Sequence, residues 1–325
     1  MPALDIENAG VTVVIPCYNY ARFLPEAIES CLAQGHGKLE VLVVDDDSTD
    51  NSVAVASAYG HPVRCIRQKN QGVGAARNRG MQEAAHEFVV FLDADDMLAP
   101  DALKSFLKTY AEAAEEPGIV AGCASLFDEK GQSMNLDPHP VAWGGVRQVG
   151  LEEAVMFTPF NPSVFAKKQF LLELGGFETN DRLYRGSEDK AMWISVAASS
   201  RPLLLMGRVI LHYRVHGQSM SHNSLRQLGS SQAILRWAHE RWGGRLKPEV
   251  WNRAWSFSHF QAAIIYSDDQ RYHEAMSQLV QSFRLAPWMQ HETIVNRYGS
   301  FYRLRRLSLI LRNWFLSSVG LQSKN

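Results

Sequence analysis

Residues 88–96 have the sequence FVVFLDADD. The apolar run Phe88–Leu92 is typical of a strand buried on both faces, and it passes directly into an Asp-x-Asp pair. Side chains alternate along a strand, so Asp93 and Asp95 are expected on the same side if the strand continues through them. Carboxylate oxygens at this separation suit a hard divalent ion such as Mn²⁺ or Mg²⁺, which also binds substrate phosphates. An isolated Asp-x-Asp is more often a surface turn, so the metal hypothesis depends on the strand end.

Short apolar runs of the same kind precede this stretch and alternate with helical patterns. They predict strands at Val11–Ile15, Val41–Val44 and Val63–Ile66, with helices near residues 22–34, 50–59 and 74–85. The alternation predicts an α/β fold with a mostly parallel, mixed sheet and right-handed crossovers. Ligands bind beyond the carboxyl ends of strands in such sheets, so the polar residues that follow each strand are candidate site residues.

Two of the other strand ends also carry polar clusters. The first strand is followed by PCYN at residues 16–19, where Pro16 is expected to stop strand pairing and Tyr18 offers an aromatic face. The second is followed by aspartates at residues 45–47. Ordering three adjacent carboxylates costs free energy, because like charges repel. A solvated acidic turn would therefore account for one aspartate but poorly for three. A carboxylate in this position can accept a hydrogen bond from a ribose or a base N–H.

The segment NQGVGAARN at residues 70–78 opens the third predicted helix. Glycines at the start of a helix let the backbone approach a phosphate, which the helix dipole also favours. The dinucleotide fingerprint G-x-G-x-x-G is incomplete, because Arg77 occupies the position of its third glycine. Arg77 lies about one turn into the helix and is expected to reach a diphosphate or a carboxylate near the second strand.

Composition and charge exclude several classes of protein. The formal net charge of -1 gives no reason to expect nucleic-acid binding, and 46% hydrophobic residues support a substantial core. The 4 cysteines form no C-x-x-C pair and are predicted to be reduced thiols of a cytoplasmic protein. Neither a signal peptide nor a transmembrane run of about eighteen apolar residues is predicted.

The last third of the chain has helical patterns throughout, beginning near Ser224. Residues 264–287 resemble a single tetratricopeptide-type unit; one unit cannot form a solenoid, so a helical hairpin packed on the main domain is favoured. One side of the final predicted helix is apolar and consists of Leu304, Leu307, Leu311 and Trp314. The tail is basic, since no acidic residue follows Glu292. This amphipathic helix is expected either to lie on an anionic membrane surface or to dock on the protein's own core.

Together, the strand-end motifs resemble those of the family 2 glycosyltransferases, whose nucleotide-binding core has the GT-A fold. The matching segments are VIPCYN at 14–19, VVDDDSTD at 43–50, NQGVGAARN at 70–78 and FLDADD at 91–96. Each motif is weak alone, but four in the family's order and spacing are specific. The resemblance covers residues 10–222. It implies a GT-A glycosyltransferase domain at residues 1–222, followed by an all-helical extension at residues 223–325.

The resemblance also implies donor-binding roles for Pro16, Tyr18, Asp46, Arg77 and Asp93. Pro16 and Tyr18 would line the base pocket. Asp46 would contact the nucleoside, and Arg77 would close on the same region. Asp93 would face the ribose or the metal.

A divalent metal, Mn²⁺ or Mg²⁺, is implied in the same way. Asp95 would bind the metal that bridges the two phosphates, with Asp93 beside it. His216, in the segment YRVHGQSMS at 213–221, would ligate the metal or contact the diphosphate; a lone histidine is as often merely hydrogen-bonded. Asp47 departs from the family, which commonly has Gly there, and this alters the backbone freedom of the turn.

A downstream segment, RGSED at residues 185–189, resembles the family's acidic pair ahead of a helix. An inverting transfer needs one base to take the proton of the acceptor hydroxyl while that oxygen attacks the anomeric carbon from the opposite face. By resemblance, Asp189 is this catalytic base, and Glu188 orients it or binds acceptor hydroxyls. The alternative interpretation is a pair of acids that the helix dipole favours.

The resemblance therefore implies an inverting, metal-dependent hexosyltransferase that moves a single sugar from a nucleotide-sugar donor, with a UDP-sugar favoured, to a hydroxyl acceptor. A saccharide or lipid-linked acceptor in cell-surface polysaccharide or glycolipid synthesis is expected. The protein would be cytoplasmic, with peripheral contact at the inner face of the membrane through its tail as a further hypothesis. Processive members carry a Q-x-x-R-W motif, whereas QAILRW at 232–237 has one residue too many.

Two other classes stay open. A non-catalytic sugar-nucleotide-binding or scaffold protein would share the pocket, although the presence of Asp93, Asp95 and Asp189 argues against lost catalysis. A nucleotidyltransferase would share the acidic α/β core. That class usually has a Gly-rich loop with basic residues directly after the first strand, where this chain has PCYNY.

Overall fold

The computed structural model describes residues 4–134, 145–156, 163–179, 187–217, 224–287 and 302–318. The chain divides into two compact units, Met1–Ser219 and Met220–Asn325. The expected domain boundary at residues 222 and 223 lies outside the described residues. So do residues 185–186 of the RGSED segment, residues 218–221 of YRVHGQSMS and the side chain of Trp314.

The described part of the first unit is built on a mixed sheet of ten strands. The strands are β1 (Val11–Cys17), β2 (Leu39–Asp45), β3 (Val63–Arg67), β4 (Phe88–Phe91), β5 (Met97–Leu98), β6 (Ile119–Asp128), β7 (Ser133–Met134), β8 (Val146–Val149), β9 (Phe165–Lys167) and β10 (Leu203–Val215). Their order is β3-β2-β1-β4-β9-β6-β10-β5, with β7 beside β6 and β8 beside β10.

The helices of this unit connect the strands. They are α1 (Leu24–Leu32), α2 (Ser52–Ser57), α3 (Val73–Glu83), α4 (Ala102–Glu112), α5 (Leu151–Met156), α6 (Lys168–Glu173) and α7 (Glu188–Ala197). The half formed by β3, β2, β1 and β4 is parallel throughout, as the alternation of strands and helices predicts. The strand β9 then runs antiparallel between β4 and β6, which makes the sheet mixed.

Continuous apolar sequence accounts for the centre of the sheet. Every residue of β1, β2 and β4 is buried, which is the pattern of strands covered on both faces. The helix α3 packs closely on β1 because Gly80 has no side chain at the point where Val14 meets it; a Cβ there would overlap the Val14 side chain. The parallel pairing of β1 with β2 and with β4 places the carboxyl ends of these strands side by side at one edge.

The strand β1 corrects one expectation about Pro16. The strand continues to Cys17, and its register pairs Pro16 with Val44 of β2. On the other side, pairing with β4 ends at Val14 opposite Phe91. The prediction that Pro16 stops strand pairing was therefore wrong. Proline is compatible with this position because β1 has a single partner strand there.

The second unit is helical in its described residues. Its helices are α8 (Ser224–Trp242), α9 (Pro248–Asp268), α10 (Tyr272–Leu285) and α11 (Tyr302–Ser318), with a 3₁₀ turn at Gly243–Arg245. The helices α9 and α10 form a hairpin in which Ser256 Oγ lies 2.7 Å from the carbonyl oxygen of Ser282. Ala275 and Leu279 of α10 are fully buried. None of the described helices is both long and apolar enough to cross a membrane.

The helix α11 docks on this hairpin with a different side from the one predicted. Leu304 and Leu311 of the expected apolar side are 48% and 44% exposed, whereas Ile310 and Arg303 are buried. Arg303 donates hydrogen bonds to the carbonyl oxygens of Ser282 (3.1 Å) and Pro287 (2.7 Å). A carbonyl oxygen has two lone pairs, so that of Ser282 accepts from Arg303 as well as from the backbone N–H of Ala286, and the buried arginine is satisfied here. The distribution of apolar and charged residues along the helix therefore did not identify the side that docks.

Candidate functional site

The loops after β1 and β2 are joined by one asparagine. Asn19 has a left-handed backbone conformation, with φ of 61°, which asparagine adopts more readily than most residues. Its Oδ1 accepts a hydrogen bond from the backbone N–H of Thr49 at 2.7 Å, and its own N–H donates to Ser48 Oγ at 2.9 Å. The neighbouring Tyr18 is 42% exposed, whereas Pro16 is buried. This turn presents the Tyr18 ring at the carboxyl edge of the sheet.

The acidic run at residues 45–47 is partly neutralised by Arg67 at the end of β3. Arg67 Nε lies 3.3 Å from a carboxylate oxygen of the buried Asp45, and Arg67 Nη2 lies 3.0 Å from Asp47 Oδ1. Asp47 has φ of 71°, so this position keeps the left-handed conformation for which glycine is suited. An aspartate therefore adopts this conformation at the position where the resemblance led us to expect glycine.

The middle carboxylate of the run, Asp46, organises the start of α3. Its Oδ2 accepts the backbone N–H of Gly72 at 2.8 Å, and its Oδ1 accepts the backbone N–H of Gln71 at 3.0 Å and the side-chain amide of Gln68 at 2.8 Å. Asp46 is 4% exposed. The backbone N–H of Gly72, at the start of the helix where a phosphate was expected to approach, is therefore bonded to Asp46.

The other glycine of the segment serves protein packing as well. A Cβ at Gly74 would lie 2.5 Å from the carbonyl oxygen of Glu178 and 3.5 Å from the side chain of Glu188. Asn78, one turn later, bonds the backbone of Phe177 with both ends of its amide, at 2.8 and 2.7 Å. The start of α3 is thus fitted to the segment that leads towards α7.

Arg77 connects two parts of the site that are far apart in the chain. It is 2% exposed, and its Nη2 and Nη1 lie 2.7 Å from Asp93 Oδ1 and 2.7 Å from Glu188 Oε1. Phe177 covers the guanidinium at 5.4 Å from the ring centre. Among the described residues, its ion pairs are to these two carboxylates and not to the aspartates that follow β2. Arg77 is thus paired with Asp93, which was expected to face the ribose or the metal, and with Glu188, which was expected to orient the base.

The electrostatics of this cluster favour a proton-accepting group. Burial and the adjacent Glu188 carboxylate raise the pKa of Asp189 to about 7, although Arg77 opposes the shift. Burial also raises the pKa of Asp93, against the stabilising charge of Arg77. A carboxylate whose pKa lies near neutrality can both take up and release a proton at physiological pH. Asp189 stands at the start of α7 and is only partly buried, so this group can meet a substrate hydroxyl.

Asp95 and His216 lie side by side. The Nε2 of His216 is 2.9 Å from Asp95 Oδ2, and the imidazole is held by Phe23 and Tyr20 at ring-centre distances of 4.8 and 6.1 Å. Burial, with the charges of Asp95 and Asp93, raises the pKa of the Tyr20 phenol. In the part of the chain that is described, no three side chains of His, Cys, Asp or Glu converge as a complete metal centre. Asp93, the third predicted ligand, is paired with Arg77.

Comparison with protein families identifies a family whose sequence pattern matches the segment that contains these strand ends. Residues 12–163 match the family described as glycosyl transferase family 2. The first unit carries a family 2 glycosyltransferase domain. The matched residues include each of the four strand-end motifs, from VIPCYN to FLDADD.

Curated relatives carry the same kind of domain. The uncharacterized glycosyltransferase YibD of Escherichia coli (strain K12) is 35% identical over 133 residues, which are 39% of this chain and 38% of YibD. The uncharacterized glycosyltransferase RT0329 of Rickettsia typhi is 26% identical over 243 residues, which are 73% of this chain and 71% of that protein. For five of the curated relatives, YibD included, the chain spans between 22% and 39% of their own length.

Solved structures share the GT-A-type fold of the glycosyltransferase domain. The structure of S. aureus TarS 1-349 in complex with UDP-GlcNAc has a TM-score of 0.54 and 14% identity, covering 87% of this chain and 93% of that chain. The same protein in complex with UDP has a TM-score of 0.53 and 16% identity, covering 95% and 92%. At this identity, the likeness establishes the fold.

Three residues of the glycosyltransferase domain escaped the sequence reasoning although they lie within or beside the quoted motifs. Asn19 joins two strand-end loops, Tyr20 packs against His216, and Arg214 bonds the FLDADD loop through Asp95 and Asp96. Their only sequence signal is proximity to a motif. The four cysteines are free, as predicted, and Trp193 is a buried core residue.

Proposed function

We propose that this protein transfers a single sugar from a nucleotide-sugar to a hydroxyl acceptor with inversion at the anomeric carbon. The observation that carries the proposal is the bridge from Asp93 through Arg77 to Glu188, beside Asp189. It brings the expected donor carboxylate and the expected base to one place in the fold. A binding protein would need the donor side of this arrangement but has no use for the base.

The donor is proposed to be a UDP-sugar. The exposed Tyr18 ring is suited to stack on a base, and the loop that Asp46 organises lies at the next strand end. Structures of similar fold contain UDP or UDP-GlcNAc, which supports a uridine nucleotide as the first to test. The transferred sugar is proposed to be a hexose.

Asp95 and His216 fit two positions of a divalent metal site. A carboxylate oxygen and an imidazole nitrogen 2.9 Å apart can both turn to one ion, and this mixed donor set suits Mn²⁺ better than Mg²⁺. Asp93 lies beside them and is held by Arg77, and diphosphate oxygens would supply further ligands. When bound, such an ion stabilises the negative charge of the departing nucleoside diphosphate.

The chemistry that this chain's own residues supply is the removal of a proton. Asp189 accepts the proton of the acceptor hydroxyl as that oxygen forms its bond to the anomeric carbon and the bond to the nucleoside diphosphate breaks. Arg77 holds the Glu188 carboxylate in place through an ion pair of 2.7 Å, and the proton of the acceptor hydroxyl goes to the adjacent Asp189. The negative charge of Glu188 in turn raises the pKa of Asp189 towards that of an effective base.

The acceptor is proposed to be a saccharide or lipid-linked saccharide used for a surface polysaccharide or glycolipid. The support is the exposed side of α11, which carries Leu304, Leu309 and Leu311 together with Arg305 and Arg312. Leucines and arginines on one helix surface suit an anionic bilayer surface. Flotation with vesicles of anionic lipid tests the contact; binding that is unchanged in Leu304→Ser/Leu311→Ser would remove its basis.

The experiment for the activity combines binding with turnover. Thermal stabilisation is measured with Mn²⁺ and UDP, GDP, dTDP, ADP or CDP, and release of nucleoside diphosphate is then measured with the matching nucleotide-sugars. We expect a metal-dependent shift with UDP and release of UDP from one UDP-sugar. Binding without release or transfer would favour the non-catalytic alternative, and no shift in a folded sample would remove the donor site.

A further inference from the structure

The buried side chain of Arg214 lies between two aromatic rings beneath the FLDADD loop. Its guanidinium carbon is 4.8 Å from the ring centre of Phe23 and 4.5 Å from that of Phe127. Arg214 is 3% exposed, and both phenylalanines are buried. A planar guanidinium can stack on two rings at once and still donate from its edge.

The edge of that guanidinium holds two other elements. Nε donates to the carbonyl oxygen of Asp95 at 2.8 Å, and Nη2 donates to Glu26 Oε2 of α1 at 2.9 Å. The backbone N–H of the same residue donates to Asp96 Oδ1 at 2.9 Å. One residue of β10 therefore bonds the loop at two consecutive positions and ties it to α1.

The same ring that stacks on Arg214 also orients His216. Phe23 lies 4.8 Å from the imidazole centre, and His216 follows Arg214 by two residues at the end of β10. Arg214 thus fixes Asp95 through its carbonyl and fixes His216 through the shared Phe23 and the shared strand. Between the two residues held in this way, Asp95 Oδ2 and His216 Nε2 are 2.9 Å apart.

We infer that Arg214 is a positioning residue that holds Asp95 and His216 in the mutual geometry needed to bind a divalent cation. The inference rests on the metal site of the proposed function. Arg214 is not among the proposed metal ligands; its side chain bonds the Asp95 carbonyl and Glu26. Groups that orient metal ligands typically change metal affinity by about 10-fold to 100-fold when they are replaced.

Lysine cannot replace this arginine at the same geometry. Its ammonium is a single point that cannot stack between Phe23 and Phe127 and also reach the Asp95 carbonyl and Glu26. Arg214→Lys keeps the positive charge next to the buried carboxyl of Asp96. A loss of metal affinity in this variant would therefore come from the geometry of the side chain and not from its charge. A matched control is Arg208→Lys on the same strand, because the Arg208 side chain is 54% exposed and lies 3.6 Å from Asp101.

The test is the affinity of the full chain for Mn²⁺ in the presence of UDP, measured from the electron paramagnetic resonance signal of free Mn²⁺. We expect Arg214→Lys to weaken Mn²⁺ binding by about 10-fold to 100-fold, while UDP binding without metal stays at the wild-type level and Arg208→Lys stays at the wild-type level for both. Glu26→Gln, which leaves the arginine in place, is expected to give a smaller loss in the same direction and serves if Arg214→Lys does not fold.

Each other outcome overturns the inference in a distinguishable way. Wild-type Mn²⁺ affinity in folded Arg214→Lys would show that the ligands hold their geometry without Arg214, and the proposed function would stand. An equal loss of UDP binding with and without Mn²⁺ would assign Arg214 to general folding of the domain. Failure of the wild type to bind Mn²⁺ with UDP would remove the proposed metal site, and this inference with it.

Discussion

The two acidic strand ends of the glycosyltransferase domain are held by different parts of the chain. After β2, Asp46 bonds Gly72, 26 residues away, and Asp47 bonds Arg67, 20 residues away. After β4, Asp95 pairs with His216 at a separation of 121 residues, and Asp96 bonds Arg214 at a separation of 118. The first end is organised by the neighbouring βα units, which contribute Asn19, Arg67 and Gly72, and the second requires the return of β10 to the sheet.

This difference has a consequence for function. A strand end organised locally is complete as soon as its βα units form, which suits rigid recognition of a nucleoside. A strand end completed by distant residues brings together Asp93, Arg77 and Glu188 only in the folded unit. We therefore expect substitutions after β2 to change donor binding, and substitutions near β4 and α7 to change metal dependence or turnover.

The largest effect is expected at the proposed base. Asp189→Asn removes the proposed proton acceptor, so kcat should fall by about 10²-fold to 10⁴-fold while UDP binding is retained. Steady-state rates and calorimetric titration with UDP measure the two quantities. The matched control is Glu112→Gln, an exposed carboxylate on α4 whose side chain is 66% exposed. Equal loss of UDP binding would assign Asp189 to the donor side, and an unchanged kcat would exclude it as the base.

A pH profile sharpens the assignment. The pKa of Asp189 is raised to about 7, so the carboxylate is protonated and inactive below that value. We expect kcat to fall about tenfold for each pH unit below 7 and to level off above it. The stability contribution has the opposite sign: because the folded state binds this proton more tightly than the unfolded state, stability from this group is present at low pH and is lost as pH rises to about 7. A kcat that is flat between pH 5 and 8 would contradict the assignment.

Comparing one variant at each strand end tests the contrast directly. Asp46→Asn replaces an oxygen that accepts a backbone N–H with a donor, which should cost about 1–3 kcal/mol of stability and weaken UDP binding with or without metal. Asp95→Asn should weaken only the Mn²⁺-dependent part, by about 10-fold or more. Calorimetric titration with UDP, in Mn²⁺ and in EDTA, separates them. Identical behaviour of both variants would mean that the two ends act as one site.

The smallest effect is expected at the turn after β2. Asp47→Gly relieves a left-handed backbone but removes an exposed ion pair with Arg67, so the free energy of unfolding should change by no more than about 0.5 kcal/mol. Asp47→Val should lower it by about 1–2 kcal/mol, because a β-branched residue is strained at a φ of 71°. Urea unfolding measures both. Equal stability of the two variants would show that the turn adopts another conformation.

The local sequence pattern was sufficient to predict the parallel half of the sheet and the residues that follow its strands. Apolar runs such as Val41–Val44 coincide with β2, and the FVVF run coincides with β4. The sequence also assigned Asp46, Asp93 and Asp95 to one edge, because the carboxyl ends of parallel strands meet there. These predictions depend on contacts between neighbours in sequence or between consecutive βα units, which hydrophobic periodicity expresses directly.

Only the tertiary structure decided what each polar group contacts. Arg77 turns to Asp93 and Glu188 instead of the aspartates after β2, the glycines of residues 70–78 serve packing and Asp46, and Arg303 is buried against helix-end carbonyls. A charged side chain can be buried where the fold supplies opposite charge or carbonyl acceptors. Ser282 is 21 residues from Arg303, and Glu188 is 111 residues from Arg77. The sequence pattern indicates which face of a helix or strand is apolar. It does not indicate which distant hydrogen-bond acceptor a given donor will contact in the folded chain.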